Sequence, residues 1–81
     1  MTIAAQIAVY PLRQEHLSPA IDVVMGTLTA RGLSPQVGPM STIVTGDLDV
    51  VLGALGEAFA HVAATGHVVM TVTLSNACPV P

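Results

Sequence analysis

Val37-Gly38-Pro39-Met40-Ser41-Thr42, followed by Ile43-Val44-Thr45-Gly46, is the stretch that decides how this chain folds. Gly38 and Pro39 punctuate the sequence as a turn or bulge does, and Thr42 to Thr45 is a β-favouring run that ends at Gly46. The polar residues Ser41 and Thr42 therefore open a strand. Neighbouring side chains of a strand point to opposite faces, so one of the two is directed at the open face of a sheet, beside backbone that a Gly-Pro break leaves free to bond a ligand. Satisfying an edge strand is the other use of the same two hydroxyls.

Reading outward towards the amino terminus, Leu33 to Val37 is a short strand that Pro35 confines to a sheet edge, and it forms a hairpin with the strand from Met40 to Thr45. Before it, Ser18-Pro19 is a helix start, with the hydroxyl as cap and proline at the first helical position. Leu17, Ile21, Val24, Met25 and Leu28 recur at helical spacing, and Gly32 stops the helix. Gln6 to Leu12 alternates Gln6, Ala8, Tyr10 and Leu12 against Ile7, Val9 and Pro11, the pattern of a strand with one apolar side.

Towards the carboxyl terminus, Gly46-Asp47 repeats the helix start, with Asp47 as N-cap and Asp49 in the first turn, where negative charge complements the helix dipole. Leu48, Val51, Leu52, Leu55, Phe59 and Val62 make the expected buried stripe. Gly53 and Gly56 weaken a helix by about 1 kcal/mol each and are read as points of close approach to the sheet or the other helix. After the stop at Gly66, Val68, Met70, Val72 and Leu74 alternate with Val69, Thr71, Thr73 and Ser75. Asn76 to Pro81 is a proline-stopped tail.

The order β-α-β-β-α-β predicts an α+β, ferredoxin-like sandwich: a four-stranded antiparallel sheet with both helices on one face, formed by residues 1–81 as a single domain. The uncovered face is expected to carry Gln6, Ala8 and Tyr10 with Val69, Thr71, Thr73 and Ser75. Its mixed character suits a subunit interface with a small-molecule pocket inside it.

Composition points the same way. Of 81 residues, 52% are hydrophobic and 9% charged, against about 25% charged in an average globular chain, so apolar surface is expected to be buried against another subunit. The two basic residues, Arg13 and Arg31, are outnumbered by five acidic ones, which leaves no basic stripe for nucleic acid. No stretch approaches the ~20 apolar residues of a membrane span, and the amino terminus lacks a basic signal region. Cys78 is the single cysteine. A cytoplasmic protein is expected.

No catalytic constellation stands out. His16, His61 and His67 lack the spacing of a helical zinc pair and read as solvated histidines. Cys78 lacks a local cation and reads as a small packing group, while Asp47 and Asp49 are explained by capping. No acid is poised against a base.

Tyr10-Pro11-Leu12, the GPMST string from Gly38 to Thr42, Gly46-Asp47, and GHVVMTVTLSNACP from Gly66 to Pro79 together make this chain resemble the YkoF-like thiamine/hydroxymethylpyrimidine-binding domains. The resemblance runs nearly end to end and implies non-catalytic binding of thiamine or its pyrimidine precursor, in uptake or salvage, with no cofactor. The family's namesake carries two such domains in tandem, so a single domain implies a homodimer or a higher homo-oligomer. The ligand residues it implies are Met40, Ser41 and Thr42 of GPMST and Ser75 and Asn76 of SNACP. An aminopyrimidine offers donor and acceptors along its edge for hydroxyls and an amide, and Tyr10 or Met40 suits its face. Two other functions fit the same fold: a small enzyme of the dimeric α+β-barrel type, which needs an acid, base or histidine pointing inward, and a structural or regulatory oligomerisation domain.

Overall fold

The computed structural model describes residues 1–13 and 18–77. It has β1 (Thr2–Pro11), α1 (Ser18–Ala30), β2 (Gln36–Val37), β3 (Thr42–Asp47), α2 (Leu48–Ala63) and β4 (Val68–Ser75). The strands form one antiparallel sheet in the order β2-β3-β1-β4, the ferredoxin-like arrangement expected from the sequence. Leu17, His16 and Cys78 lie outside the described residues, as does the side chain of Ser18 with its capping role.

β1 is the central strand, and its register sorts the side chains. Ala4, Gln6, Ala8 and Tyr10 stand opposite Ser75, Thr73, Thr71 and Val69 of β4, so these side chains share the open face. The alternate residues Ile3, Ala5, Ile7 and Val9 are buried under the helices. There they join Val44 of β3, Val24 and Leu28 of α1, and Val51, Ala54, Leu55, Ala58 and Val62 of α2 in one core. β1 begins at Thr2, four residues before the expected Gln6. Alanine has little β-propensity, so Ala4 and Ala5 gave no strand signal, and pairing with β3 and β4 on both sides supplies what propensity lacks.

The hairpin differs from the alternation reading in both arms. β2 is reduced to Gln36 and Val37, because Pro35 has no N–H to offer a ladder. β3 is displaced by two residues, to Thr42–Asp47. Met40 and Ser41 belong instead to the turn, which Gly38 closes by donating its N–H to the Ser41 carbonyl at 2.8 Å. Gly46 stays within β3 because it faces the core at a crowded point. A Cβ there would lie 2.8 Å from Leu33 Cδ2 and 3.4 Å from Val51 Cγ2.

α1 ends as Gly32 predicts. With φ at 82°, Gly32 donates to Thr29 O at 3.0 Å, and Leu33 donates to Leu28 O at 3.1 Å, the paired bonds of a Schellman cap with two buried leucines at its ends. At the start of α2, Asp47 is the N-cap and accepts from the Asp49 N–H. Its carboxyl also bonds the Met1 ammonium at 3.3 Å; that bond first, and the Asp49 N–H second, hold its pKa below the usual value. The buried stripe of α2 contains Ala54 and Ala58 but not Leu52 or Phe59, which are half-exposed. The two alanines are what α2 turns inward, so the apolar spacing of the large residues misplaced the stripe by part of a turn. Gly53 is a point of close approach, where a Cβ would lie 2.7 Å from the Arg31 guanidinium that reaches across to Glu57. Gly56 is not; nothing lies within 4 Å of its Cβ position.

Two glycine substitutions should therefore move stability in opposite directions. Gly46→Ala overpacks the contact with Leu33 and Val51 and should cost about 1–3 kcal/mol, whereas Gly56→Ala should gain about 1 kcal/mol from helix propensity alone. Urea denaturation of the two variants measures both. For Asp47 the sign follows from its lowered pKa: the stabilisation is present at neutral pH and is lost as pH falls through the folded-state pKa, below the ordinary value of 3.8. Asp47→Ala should lower the urea midpoint at pH 7 and converge with the parent as the pH falls below that value.

Candidate functional site

The cleft that matters is made by a mismatch of strand lengths. The β1–β3 ladder ends at the pair Ile7–Thr42, whereas β1 continues through Ala8 to Pro11 against β4. The tip of the hairpin, Gly38 to Ser41, diverges from this overrun, and α1 closes the gap from behind with Ile21, Val24 and Met25. The result is a cleft of about 230 Å³. That is room for one small ring, below the roughly 300–1,000 Å³ of sites for larger ligands. Successive peptide groups of a strand point to opposite edges, so every second residue of Ala8–Pro11 turns backbone polar groups into the gap rather than into a ladder.

Four residues singled out in the sequence meet here: Tyr10, Met40, Ser41 and Thr42 all line the cleft. The strand alternation separates the two hydroxyls as expected. Thr42 is buried on the helix side, and Ser41 is on the open-face side, where its Oγ accepts from the Gln6 amide at 3.1 Å. Met40, 85% exposed, and Tyr10, 46% exposed, stand at the mouth. The cleft differs from the expected pocket in place: it opens at the end of the sheet, bordered by both faces, rather than on the middle of the open face. Gln6 was not anticipated as a partner of Ser41, because their proximity depends on the β1–β3 register. Ile21, Val24 and Met25 read as core by spacing, and they are also the back wall.

Ser75 and Asn76 are elsewhere. Ser75 pairs with Ala4 while Val69 pairs with Tyr10, and six residues of strand put the two ends about 20 Å apart. Ser75 Oγ accepts from the Ala77 N–H at 3.0 Å, closing the turn after β4. One chain therefore does not bring the two motifs together.

Among the described residues the cleft lining contains no Asp, Glu, Lys, Arg or His. Arg31 pairs with Glu57 on the helix layer. His61 lies in the last turn of α2, with Nδ1 3.1 Å from Thr27 Oγ1, which itself bonds the Val23 carbonyl at 3.0 Å; this histidine links the helices rather than being purely solvated. Among the described residues no three of His, Cys, Asp and Glu are grouped to hold a metal, and no helix is long and apolar enough to cross a membrane.

A single-ring cleft built by the GPMST turn agrees with what the chain is similar to. The sequence profile of the family described as thiamine-binding protein matches residues 5–76. The chain belongs to that family. No curated protein sequence matches it. Solved structures do. Hypothetical protein MJ1052 from Methanocaldococcus jannascii superposes with a TM-score of 0.87 at 22% identity, covering 99% of this chain and 84% of that one. Protein SP2199 from Streptococcus pneumoniae gives 0.84 at 25%, covering 93% and 86%. TM0486 from Thermotoga maritima, a candidate thiamine biosynthesis/salvage protein, gives 0.81 at 20%, covering 91% and 82%. These likenesses establish the fold across nearly the whole chain.

Proposed function

We propose that this protein binds thiamine or free hydroxymethylpyrimidine without catalysing a reaction on it, as a cytoplasmic component of thiamine or pyrimidine uptake or salvage. The observation that carries this reading is the convergence of Tyr10, Met40, Ser41 and Thr42 on one cleft that has hydrogen-bonding edges and, among the described lining residues, no ionisable acid or base other than the tyrosine. The ring edge bonds Ser41, the Gln6 amide and the free backbone of β1; its faces lie against Met40 and the Tyr10 ring. An enzyme of the α+β-barrel type would need a proton-transfer group at the reacting atoms, and among the described lining residues the Tyr10 hydroxyl is the one group of that kind.

The distance between Ser41 and Asn76 gives the homo-oligomer a role. A two-fold axis parallel to the sheet, midway between two facing copies and perpendicular to the strands, stacks two open faces with their strands reversed, so that the Ser75–Asn76 end of one copy meets the Tyr10–Ser41 end of the other. Each cleft is then completed by a second copy.

Isothermal calorimetry tests the site. Ser41→Ala, Thr42→Val or Asn76→Ala, whichever side chain faces the ligand, should weaken pyrimidine binding by about 1–3 kcal/mol with the fold intact, since a ligand polar group is left unpaired. If none of the three alters affinity, the binding site is not this cleft. Equal amounts of Ser41→Ala and Asn76→Ala, refolded together, should recover about a quarter of the full-affinity sites, because half the dimers are mixed and each of those carries one intact site. No recovery contradicts the shared site.

The ligand is the unphosphorylated form. A diphosphate brings charge that proteins meet with Arg, Lys, a glycine-rich nest or a divalent cation, and neither Arg13 nor Arg31 lines the cleft. Thiamine or hydroxymethylpyrimidine should bind at least tenfold, or ~1.4 kcal/mol, more tightly than thiamine diphosphate. Titration of all three with and without magnesium measures the difference, and equal or tighter binding of the diphosphate overturns this part of the reading.

A further inference from the structure

The pairing of β1 with its two neighbours leaves the backbone of one residue unused. In an antiparallel ladder, residues that exchange both hydrogen bonds with the strand opposite alternate with residues that exchange none, so a single bond fixes the direction of every peptide group. Just past the β1–β4 pairs, Leu12 donates to His67 O at 2.9 Å, which directs Tyr10, Ala8, Gln6 and Ala4 towards β4. At the other end Leu48 donates to Met1 O at 2.9 Å, in register with the pair Thr2–Asp47, which directs Ile3, Ala5 and Ile7 towards β3. The two ends agree: the odd-numbered residues of β1 turn their N–H and C=O to the β3 side.

Val9 is the next odd residue, and β3 no longer runs beside it. Extending the Ile7–Thr42 register would set Val9 opposite Met40, but Met40 belongs to the turn that Gly38 closes on Ser41. Val9 lines the cleft, and its N–H and C=O have no hydrogen-bond partner among the described residues. Its side chain is buried in the core, which holds the two groups in place. Pro11, the last odd residue of the strand, has no N–H. The Val9 N–H is therefore the one backbone donor that the overrun of β1 turns into the gap.

We infer that the Val9 N–H and C=O read one edge of the ligand, an edge on which a ring nitrogen stands beside an amino group: the N–H donates to the nitrogen and the C=O accepts from the amino group. The inference rests on the function proposed above and specifies which edge of the pyrimidine is held. The N–H and C=O of such a strand residue lie side by side, and the missing β3 residue would return one acceptor and one donor. A ring nitrogen with a neighbouring amino group returns the same pair within one rigid plane. The slot is a single residue long, with the ladder closed at Ile7 and a proline at Pro11. It takes a small planar molecule, whereas an added peptide strand needs several successive pairs. Because the reading groups are backbone, they carry no side-chain signature in the sequence, and only the register of β1 against both neighbours locates them.

Amide hydrogen exchange of the full chain followed by NMR, with calorimetry on the same protein, tests this assignment. In the free protein the Val9 amide should exchange at least tenfold faster than those of Ala8 and Tyr10, which are bonded to β4. Saturation with hydroxymethylpyrimidine should slow Val9 exchange at least tenfold. The same pyrimidine lacking its amino group leaves the Val9 C=O unpaired and should bind at least tenfold more weakly. Three results would each overturn the inference while leaving the proposed function standing: a Val9 amide already protected in the free protein, saturable pyrimidine binding with Val9 exchange unchanged, or equally tight binding of the deamino analogue. Absence of any saturable heat with hydroxymethylpyrimidine and thiamine would overturn the proposed function itself, and the role of Val9 with it.

Discussion

Everything in this small domain hangs on β1 being hydrogen-bonded along both edges. Its pairing with β4 sets which residues share the open face, and its pairing with β3 puts Ser41 beside Gln6. Because β3 stops at Thr42 while β4 accompanies β1 to Pro11, the sheet has a step in it. The cleft is that step. It requires no special loop, only a hairpin whose turn is closed by the Gly38 N–H and a helix whose Val24 and Met25 stand behind the gap.

The same economy explains the chemistry. A domain of 81 residues with two basic side chains has little with which to hold an anion, and it has used one arginine to join its helices. What remains are hydroxyls, an amide, free backbone and a soft thioether, a set suited to recognising the edge and face of a neutral heterocycle. Membership of the thiamine-binding protein family and a cleft whose described lining offers hydroxyls, backbone and a thioether thus support one another from independent directions.

Much of this was legible in the sequence, for identifiable reasons. Alternation in β4 and the caps at Gly32 and Asp47 are local signals, and they led to the right topology. The GPMST turn drew attention to Met40, Ser41 and Thr42, and the aromatic ending the first strand to Tyr10, before any register was available. What was not legible is what register and packing decide. Gln6 meets Ser41 through strand pairing over 35 residues of sequence. The inward face of α2 is set by Ala54 and Ala58, whose small size carries almost no periodic signal, so Leu52 and Phe59 were read as core. The separation of Ser75 and Asn76 from the cleft follows from strand order and could not be read from motif spacing.

The central claim is that the step between β1 and the hairpin is where the ligand sits. Backbone amide NMR of the full chain titrated with hydroxymethylpyrimidine tests it most directly. The account predicts that the largest shifts fall on the amides of Ala8 to Tyr10, Met25 and Met40 to Thr42. Shifts concentrated on α2, or no saturable shift at these amides, would contradict it.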